Sequence, residues 1–279
     1  MKKVLVIVGP TASGKSARAI TLAKKRGGEV ISADSRQVYR GMDIGTGKIT
    51  KKKMSGIPHH LLSVTDPKKQ YSVEQYKKDA TRALLDILAR GKTPIICGGT
   101  GFYVDALVHG TTIPSVPPNK ALRKKLEKMS ATQLFALLKQ KDCARAKAID
   151  AHNPRRLIRA LEIVETLGRV PKQKSVPPRG LSFVWTGVDL PDVTLKKKIH
   201  TRLLERIKKG MLVEVKKMKA RGLSWKRLES FGLEYKWLAR YLQGKVEKKE
   251  MLEKLETDIW HYAKRQRTWF KRNKKIRWV

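Results

Sequence analysis

A glycine-rich segment near the start of the chain carries residues that could bind phosphate. It consists of eight consecutive residues: Gly9, Pro10, Thr11, Ala12, Ser13, Gly14, Lys15 and Ser16. The glycines let backbone amides turn toward an anion, the lysine neutralises bridging oxygens, and the last serine hydroxyl can bind Mg²⁺. Because the segment follows an apolar run and precedes a helical pattern, it predicts a phosphate-binding loop for a di- or triphosphate. The loop alone does not decide whether the leaving group is phosphate or diphosphate.

Two further polar residues are expected beside this loop. Asp34 follows the apolar run Glu29–Ala33, and Thr100 follows the run Thr93–Cys97. The carboxyl ends of parallel strands share one edge of a sheet, and ligands bind at that edge in open α/β sheets. An aspartate there could accept a proton from a hydroxyl, as in a small kinase, or from an amine, as in a prenyltransferase.

The elements that must hold these residues are strands alternating with helices. Helical spacing of apolar residues predicts one helix from Ser72 to Arg90 and another from Leu195 to Met218. The alternation predicts an α/β fold with a P-loop NTPase-like core, in which a mostly parallel sheet is flanked by helices. Four apolar runs are predicted to be its strands: Val4–Gly9, Glu29–Ala33, Thr93–Cys97 and Ser182–Leu190.

Prolines divide the chain into three predicted parts. Residues 1–112 form the first part of the P-loop core, and residues 151–279 form the rest of the core with basic C-terminal helices. Between them, residues 113–150 are lysine-rich and helical in pattern, and they predict a small helical insertion domain.

Composition restricts the classes of protein that are compatible with this chain. The 279 residues are 41% hydrophobic and 31% charged, and no apolar run is long enough to span a membrane. With Cys97 and Cys143 as the only cysteines, a reducing, cytoplasmic location is expected. The net charge of +39 makes nucleic acid the first partner to consider, although a general lysine bias explains the number equally well. His59 and His60 are adjacent, do not normally project to one side, and are interpreted as structural.

Six separate blocks, in order along nearly the whole chain, make the sequence resemble the tRNA dimethylallyltransferase family, also called the tRNA isopentenyltransferase or IPP transferase family. The blocks are Gly9-Pro-Thr-Ala-Ser-Gly-Lys-Ser16, Ser32-Ala-Asp-Ser-Arg-Gln-Val-Tyr39, Ile57-Pro-His-His-Leu61, Gly98-Gly-Thr-Gly-Phe-Tyr103, Asn153-Pro-Arg-Arg-Leu-Ile-Arg-Ala-Leu-Glu162 and Ala263-Lys-Arg-Gln-Arg-Thr-Trp-Phe270. The run Ser230–Lys236 departs from the family pattern, because an additional Leu-Glu separates its glycine from its tyrosine.

The resemblance implies transfer of a dimethylallyl group from dimethylallyl diphosphate to the exocyclic N6 amine of the adenosine 3′-adjacent to the anticodon in tRNA. Diphosphate is released, and the phosphate loop binds the prenyl diphosphate rather than ATP, although the motif is often described as a nucleotide-binding or ATP-binding site. Asp34 is then the expected general base, Thr100 touches the adenine or the diphosphate, and Arg202 neutralises the leaving group. Mg²⁺ is the expected cofactor, with Ser16 as its protein ligand. The enzyme is expected to be a monomer without a membrane segment.

The expected partner is the anticodon stem-loop of tRNA. Arg155 and Arg159 lie four residues apart and so share one face of a predicted helix. The resemblance assigns tRNA contacts to Asp34, Ser35, Arg36, Gln37, Thr100, Arg123, Arg155, Arg156, Leu157, Ile158 and Arg159. In the basic stretch from Lys264 to Val279, the cations are interpreted as backbone-binding, whereas Trp269 and Phe270 are interpreted mainly as packing residues.

Three alternatives remain open at this point. A small-molecule phosphotransferase could use the same loop for ATP with Asp34 as its base. A prenyltransferase acting on free adenine nucleotides would use the same prenyl-transfer chemistry but would not account for Arg155 and Arg159. A non-catalytic RNA-binding protein with a vestigial loop is disfavoured, because Gly14, Lys15 and Asp34 are all intact.

Overall fold

The chain is divided into two structural units, the second of which is a single continuous segment. The structure, a computed structural model, describes residues 1–172 and 174–279. The first unit comprises Met1–Gly110 and Pro177–Val279, and the second comprises Thr111–Val176. Within the described residues, every helix is too short or too polar to cross a bilayer.

The first unit is built on a sheet whose paired strands all run parallel. The strands are β1 (Lys2–Val8), β2 (Gly28–Ser32), β3 (His59–His60), β4 (Thr93–Gly98), β5 (Leu181–Gly187) and β6 (Arg277–Trp278). Their order in the sheet is β3-β2-β4-β1-β5-β6. The predicted α/β fold with a parallel sheet is confirmed, while β3 and β6, at two residues each, are too short to give a pattern in the sequence.

Helices cover the sheet and build the rest of the chain. In chain order they are α1 (Lys15–Arg26), α2 (Lys51–Met54), α3 (Val73–Ala89), α4 (Gly101–Val108), α5 (Lys120–Leu126), α6 (Ala131–Lys141), α7 (Cys143–Lys147), α8 (Pro154–Leu167), α9 (Asp192–Lys208), α10 (Met211–Ala220), α11 (Trp225–Ser230), α12 (Leu233–Leu242) and α13 (Lys248–Lys271). Ser72 is the N-cap of α3, as predicted, and it forms a reciprocal capping box with Gln75.

The helix predicted over Leu195–Met218 is wrong as a single element. The structure has α9 and α10 instead, with Gly210 between them in a left-handed conformation at φ 93°. A residue without a Cβ adopts this conformation without strain, so the chain turns at Gly210 although the apolar spacing continues through it.

The second unit has its own apolar core. Side chains of α5, α6 and α8 meet there, among them Leu126, Leu134, Leu138, Leu157 and Leu161. The predicted insertion covered residues 113–150, whereas the unit also includes α8 and continues to Val176. Packing explains the difference, since one face of α8 completes the core that α6 alone leaves open.

Candidate active site

The phosphate loop occupies the carboxyl end of the central strand β1. Gly9 has φ 151°, and a Cβ there would lie 2.1 Å from the carbonyl oxygen of Val188. Gly14, at φ 102°, begins α1 without a side-chain cap. The first amides of this helix are therefore available to an anion, together with the positive end of the helix dipole.

Two side chains of the loop, Lys15 and Ser13, have polar groups that could bind an anionic ligand. The ammonium group of Lys15 donates to the carbonyl of Pro10 at 3.0 Å. Burial lowers the pKa of Lys15, and the nearby Arg202 lowers it further, while Cys97 and Asp34 act in the opposite direction. The Oγ of Ser13 is buried and has no hydrogen-bond partner among the described residues. An anion would satisfy both groups.

Asp34 lies just beyond β2, as its place after an apolar run predicts. Its Oδ1 accepts hydrogen bonds from the backbone N–H of Arg36 at 2.8 Å and of Gln37 at 3.3 Å. The other carboxylate oxygen, Oδ2, has no hydrogen-bond partner within the described part of the chain. One oxygen thus holds the turn while the second is available to accept a proton.

Thr100 lies at the same edge, after β4 and at the N-cap of α4. Its Oγ1 accepts from the backbone N–H of Ser35 at 3.0 Å, and its own N–H donates to the carbonyl of Ala33 at 3.1 Å. These bonds hold Thr100 against the turn that carries Asp34. The two residues that the sequence placed at one sheet edge are in fact adjacent.

Arg202 supplies an unpaired positive charge to this site. It projects from α9, and in the part of the chain that the structure describes its guanidinium forms no hydrogen bond or ion pair. Burial lowers the pKa of Arg202 to about 10, and Arg206 contributes to the shift. Because removing a cation even partly from water without a partner is costly, this partly buried side chain is poised to bind an anion.

Sequence reasoning missed Arg206 and its acidic partner Glu234. Arg206 donates to Glu234 at 3.0 Å and to the carbonyl of Gly45 at 3.2 Å. Both guanidinium groups of α9 lie against Gly47, where a Cβ would be 2.0 Å from Arg206. Glu234 belongs to the run Ser230–Lys236 that departs from the family pattern, and no local feature links it to residue 206.

Glu214, on α10, organises the loop before Gly47. Its carboxylate accepts the N–H groups of Asp43, Ile44 and Gly45 at 2.8, 2.7 and 3.0 Å, and the hydroxyl of the buried Tyr235 at 2.7 Å. One carboxylate therefore satisfies four donors and fixes the backbone beside Arg206.

Replacing Glu214 with alanine is expected to lower the free energy of unfolding by about 2 kcal/mol or more. The physical reason is that buried donors, the Tyr235 hydroxyl included, lose their acceptor. Denaturant melts of wild type and variant measure the effect. The exposed Glu253, whose carboxylate has no partner among the described residues, is the matched control and should change stability by less than about 0.5 kcal/mol. Equal effects from both substitutions would contradict the assignment.

The second unit carries the predicted RNA-binding arginines in two different environments. Arg123 and Arg159 both bind the buried side chain of Glu162, at 2.7 and 3.3 Å. Burial raises the pKa of Glu162, but the hydrogen bonds from Arg123, the Asn119 backbone and Arg159, together with the positive charge of Arg123, outweigh burial, and the pKa is lowered. Arg155 and Arg156 are exposed.

Leu157 and Ile158 do not present their side chains on the surface. Both side chains are buried in the core of the second unit, and contact of this helix with RNA stays a prediction. Arg159 also donates to the carbonyl of Val116 at 2.8 Å, which adds a structural task to its expected role. The four-residue spacing between Arg155 and Arg159 gives no indication that Arg159 binds the buried carboxylate of Glu162.

Arg36 and Gln37 are held by contacts of their own. Arg36 donates to the carbonyl of Phe231 at 2.7 Å and lies over its ring, and Gln37 donates to the carbonyl of Thr46 at 3.4 Å. Both residues remain partly exposed beside Asp34.

The two adjacent histidines form strand β3, and each side chain has a polar neighbour. His60 lies 2.7 Å from the buried carboxylate of Glu29, and His59 lies 2.8 Å from the carbonyl of Ile57. Hydrogen bonds from Arg90 lower the pKa of Glu29 to about 2. Among the described residues, no group of three or more His, Cys, Asp or Glu side chains could hold a metal ion.

Comparisons with known proteins agree on one family. The family model described as IPP transferase matches residues 37–273, and the one described as isopentenyl transferase matches residues 2–69. The chain is 41% identical to tRNA dimethylallyltransferase 2 of Treponema denticola over 99% of this chain and 95% of that protein. It is 40% identical to tRNA dimethylallyltransferase of Roseiflexus sp. over 98% of this chain and 91% of the relative.

Solved structures agree as well. The full-length tRNA isopentenylpyrophosphate transferase of Bacillus halodurans is 36% identical, with a TM-score of 0.75 over 100% of this chain and 90% of that one. A eukaryotic dimethylallyltransferase acting on tRNA is 28% identical, with a TM-score of 0.79 over 97% of this chain and 70% of that one. These matches span both units and include the phosphate loop and the Asp34 turn, so the chain belongs to the IPP transferase family.

Proposed function

We propose that this chain transfers the dimethylallyl group of dimethylallyl diphosphate to the N6 amine of the adenosine 3′-adjacent to the anticodon in tRNA. One observation carries the proposal: groups that can bind an anion lie near a carboxylate that can accept a proton. The anion-binding groups are the uncapped amides of the phosphate loop and Arg202, and the acceptor is Oδ2 of Asp34. Anion-binding groups thus lie beside a base at one sheet edge. Names of the relatives, which are tRNA dimethylallyltransferases, support the choice of acceptor. A monomer acting in the cytoplasm stays a prediction.

The proposed reaction is a single displacement at the allylic carbon. The lone pair of N6 attacks C1 of the dimethylallyl group, the C1–O bond breaks, and diphosphate leaves with the electron pair. Asp34 accepts the proton that N6 loses, because the exocyclic amine is a poor nucleophile until that proton is removed. Lys15 and Arg202 neutralise the negative charge that grows on the leaving group. Ser35 and Thr100 would line the place of the extruded adenine.

Mg²⁺ fits this site as a companion of the diphosphate. Ser16 is exposed in the first turn of α1, where its hydroxyl can bind the ion while diphosphate oxygens supply further ligands. Bound there, Mg²⁺ would add positive charge to the leaving group. Because no carboxylate cluster that could hold a metal lies among the described residues, the diphosphate oxygens would supply most of the ion's remaining ligands.

Removing Arg155 and Arg156 together is expected to weaken tRNA binding and to flatten its dependence on salt. Both side chains are exposed, and each lost phosphate contact should reduce the slope of log K against log salt by about 0.7–0.9. The alanine double variant is titrated with tRNA at several salt concentrations. The matched control replaces Lys24 and Lys25, two exposed cations in the last turn of α1, and should change the slope much less. Equal slopes for both double variants would reject the contact.

The reaction is tested by following labelled dimethylallyl diphosphate into an unmodified tRNA anticodon stem-loop. AMP is offered as a competing acceptor, and ATP hydrolysis is measured in parallel. Label in the stem-loop alone is the expected result. Label in AMP would move the assignment to a prenyltransferase of free nucleotides, and ATP turnover without label would move it to a phosphotransferase.

A further inference from the structure

Gln266 connects two parts of the site that the chain keeps far apart in sequence. Its Oε1 accepts the backbone N–H of Thr11 in the phosphate loop at 2.8 Å. Its Nε2 donates to the carbonyl of Gly99, next to Thr100, also at 2.8 Å. Gln266 belongs to α13 and is 5% exposed, and its bond to Gly99 is fully buried while the bond from Thr11 is partly buried. No step of the reaction described above uses Gln266.

The glycines around Thr100 let α13 approach this closely. A Cβ on Gly99 would lie 2.1 Å from the Nε2 of Gln266, and a Cβ on Gly101 would lie 2.1 Å from the ring of Trp269. The indole N–H of Trp269 donates to Asp105 on α4 at 3.1 Å. Two neighbouring side chains of α13 therefore fit into the glycine turn, which leaves little freedom for the helix to move relative to Thr100.

One turn earlier on the same face of α13 lies Tyr262. Burial raises the pKa of its phenol, and an interaction with the hydroxyl of Thr100 acts in the opposite direction. Thr100 in turn accepts the N–H of Ser35, next to Asp34. Residues four positions apart on a helix share a face, so Tyr262 and Gln266 contact the Thr100 turn together.

We propose that Gln266 is a positioning residue that sets the distance between the phosphate loop and the turn carrying Asp34 and Thr100. This inference rests on the proposed function, in which the loop holds the diphosphate and the turn holds the adenine. The two reactants then meet at an angle and distance that the amide of Gln266 fixes through one bond to each side. Because displacement requires N6 in line with the breaking C1–O bond, a small shift of the loop should slow transfer strongly.

Loss of this alignment has a specific chemical consequence. When N6 no longer lies behind C1, a water molecule can attack the allylic carbon instead. The C1–O bond breaks as before, diphosphate leaves, the water loses a proton, and dimethylallyl alcohol forms. A residue that merely stabilises the fold would change the amount of active enzyme but would not change the ratio of alcohol to prenylated RNA.

The test compares wild type with Gln266→Met, which keeps the volume of the side chain and removes both hydrogen bonds. Single-turnover transfer to the stem-loop should fall at least about 10-fold, and the fraction of dimethylallyl group recovered as alcohol should rise. Binding of Mg²⁺-diphosphate and of tRNA should stay within about threefold of wild type, because Lys15, Arg202 and Arg155 are unchanged. Gln266→Glu, which keeps the acceptor for Thr11 but loses the donor to Gly99, should raise the alcohol fraction as well.

The matched control is Gln243→Met, since the amide of Gln243 also donates two hydrogen bonds, to Glu229 and Ala239, but lies outside the site. It should leave the alcohol fraction at the wild-type value. An unchanged alcohol fraction in a folded Gln266→Met or Gln266→Glu protein, with wild type active, would overturn the positioning role. A wild-type protein that labels neither RNA nor alcohol would instead overturn the proposed function.

Discussion

Replacing Asp34 with asparagine is expected to lower the rate of prenyl transfer at least about 100-fold, with binding of tRNA and of dimethylallyl diphosphate retained. Asparagine keeps a side-chain oxygen at Oδ1, which can still accept the N–H groups of Arg36 and Gln37. The turn beside Thr100 therefore persists, while the basic oxygen that takes the proton from N6 is lost. Single-turnover rates at saturating tRNA separate this loss from any change in affinity.

Asp66→Asn provides a matched control for this experiment. Asp66 accepts the backbone N–H of Lys68 at 2.7 Å, in a turn of the same kind as that of Asp34, but it lies outside the candidate site. Its substitution should leave the rate within about twofold of wild type. Undiminished turnover in Asp34→Asn would remove this residue from the role of base. A fall in affinity equal to the fall in rate would make it a binding residue.

Replacing Arg202 with glutamine is expected to lower kcat for transfer from dimethylallyl diphosphate by about 100- to 1000-fold, the range found when one preorganised donor to a developing anion is removed. The guanidinium has no partner among the described residues, so its interaction energy remains available for the diphosphate. Since charge on the leaving group grows as the C1–O bond breaks, the rate should suffer more than the affinity for inorganic diphosphate.

Stability provides a second readout for Arg202. Burial lowers its pKa, which means that the folded state disfavours the charged form relative to water. The neutral variant should consequently unfold at the same temperature as wild type or at a higher one. Lys197→Gln is the control, because it removes one exposed charge from the same helix and should change neither activity nor stability measurably. A large loss of stability in Arg202→Gln, with activity per folded molecule unchanged, would contradict the assignment.

The two substitutions report on different halves of one reaction. In the proposed reaction, Asp34 acts on the proton that leaves the nucleophile, whereas Arg202 acts on the charge that develops at the diphosphate. If both assignments hold, a nucleophile that needs no base should rescue Asp34→Asn and leave Arg202→Gln slow. When RNA is absent, water that attacks C1 can pass its proton to bulk solvent instead of Asp34, so release of dimethylallyl alcohol can be compared in both variants.

The sequence was sufficient to predict those features whose structure depends on residues nearby in the chain. The phosphate loop needs left-handed or extended glycines and a following helix, and Gly9, Gly14 and Lys15 carry that information within a few residues. Asp34 and Thr100 were predictable for a related reason. Residues after parallel strands lie at one edge of the sheet whatever the loops between them do.

Local patterns in the sequence did not show every consequence of packing between distant residues. Apolar spacing runs through Gly210, and only the structure shows two helices there instead of one. Arg155 and Arg159 share a spacing typical of one helical face, yet Arg155 is exposed and Arg159 binds the buried carboxylate of Glu162. In both cases the outcome depends on packing against residues that the local pattern does not contain.

What the sequence by itself determined about this protein is therefore its phosphate loop, its parallel sheet and the two residues at the strand ends. Only the tertiary structure brought Glu214 to the loop of Gly45, Glu234 to Arg206, and Gln266 to Thr11 across 255 positions of chain. The physical reason is that a hydrogen bond depends on distance in space. A glutamine or glutamate has no property along the chain that distinguishes a solvated side chain from one that joins two parts of a site.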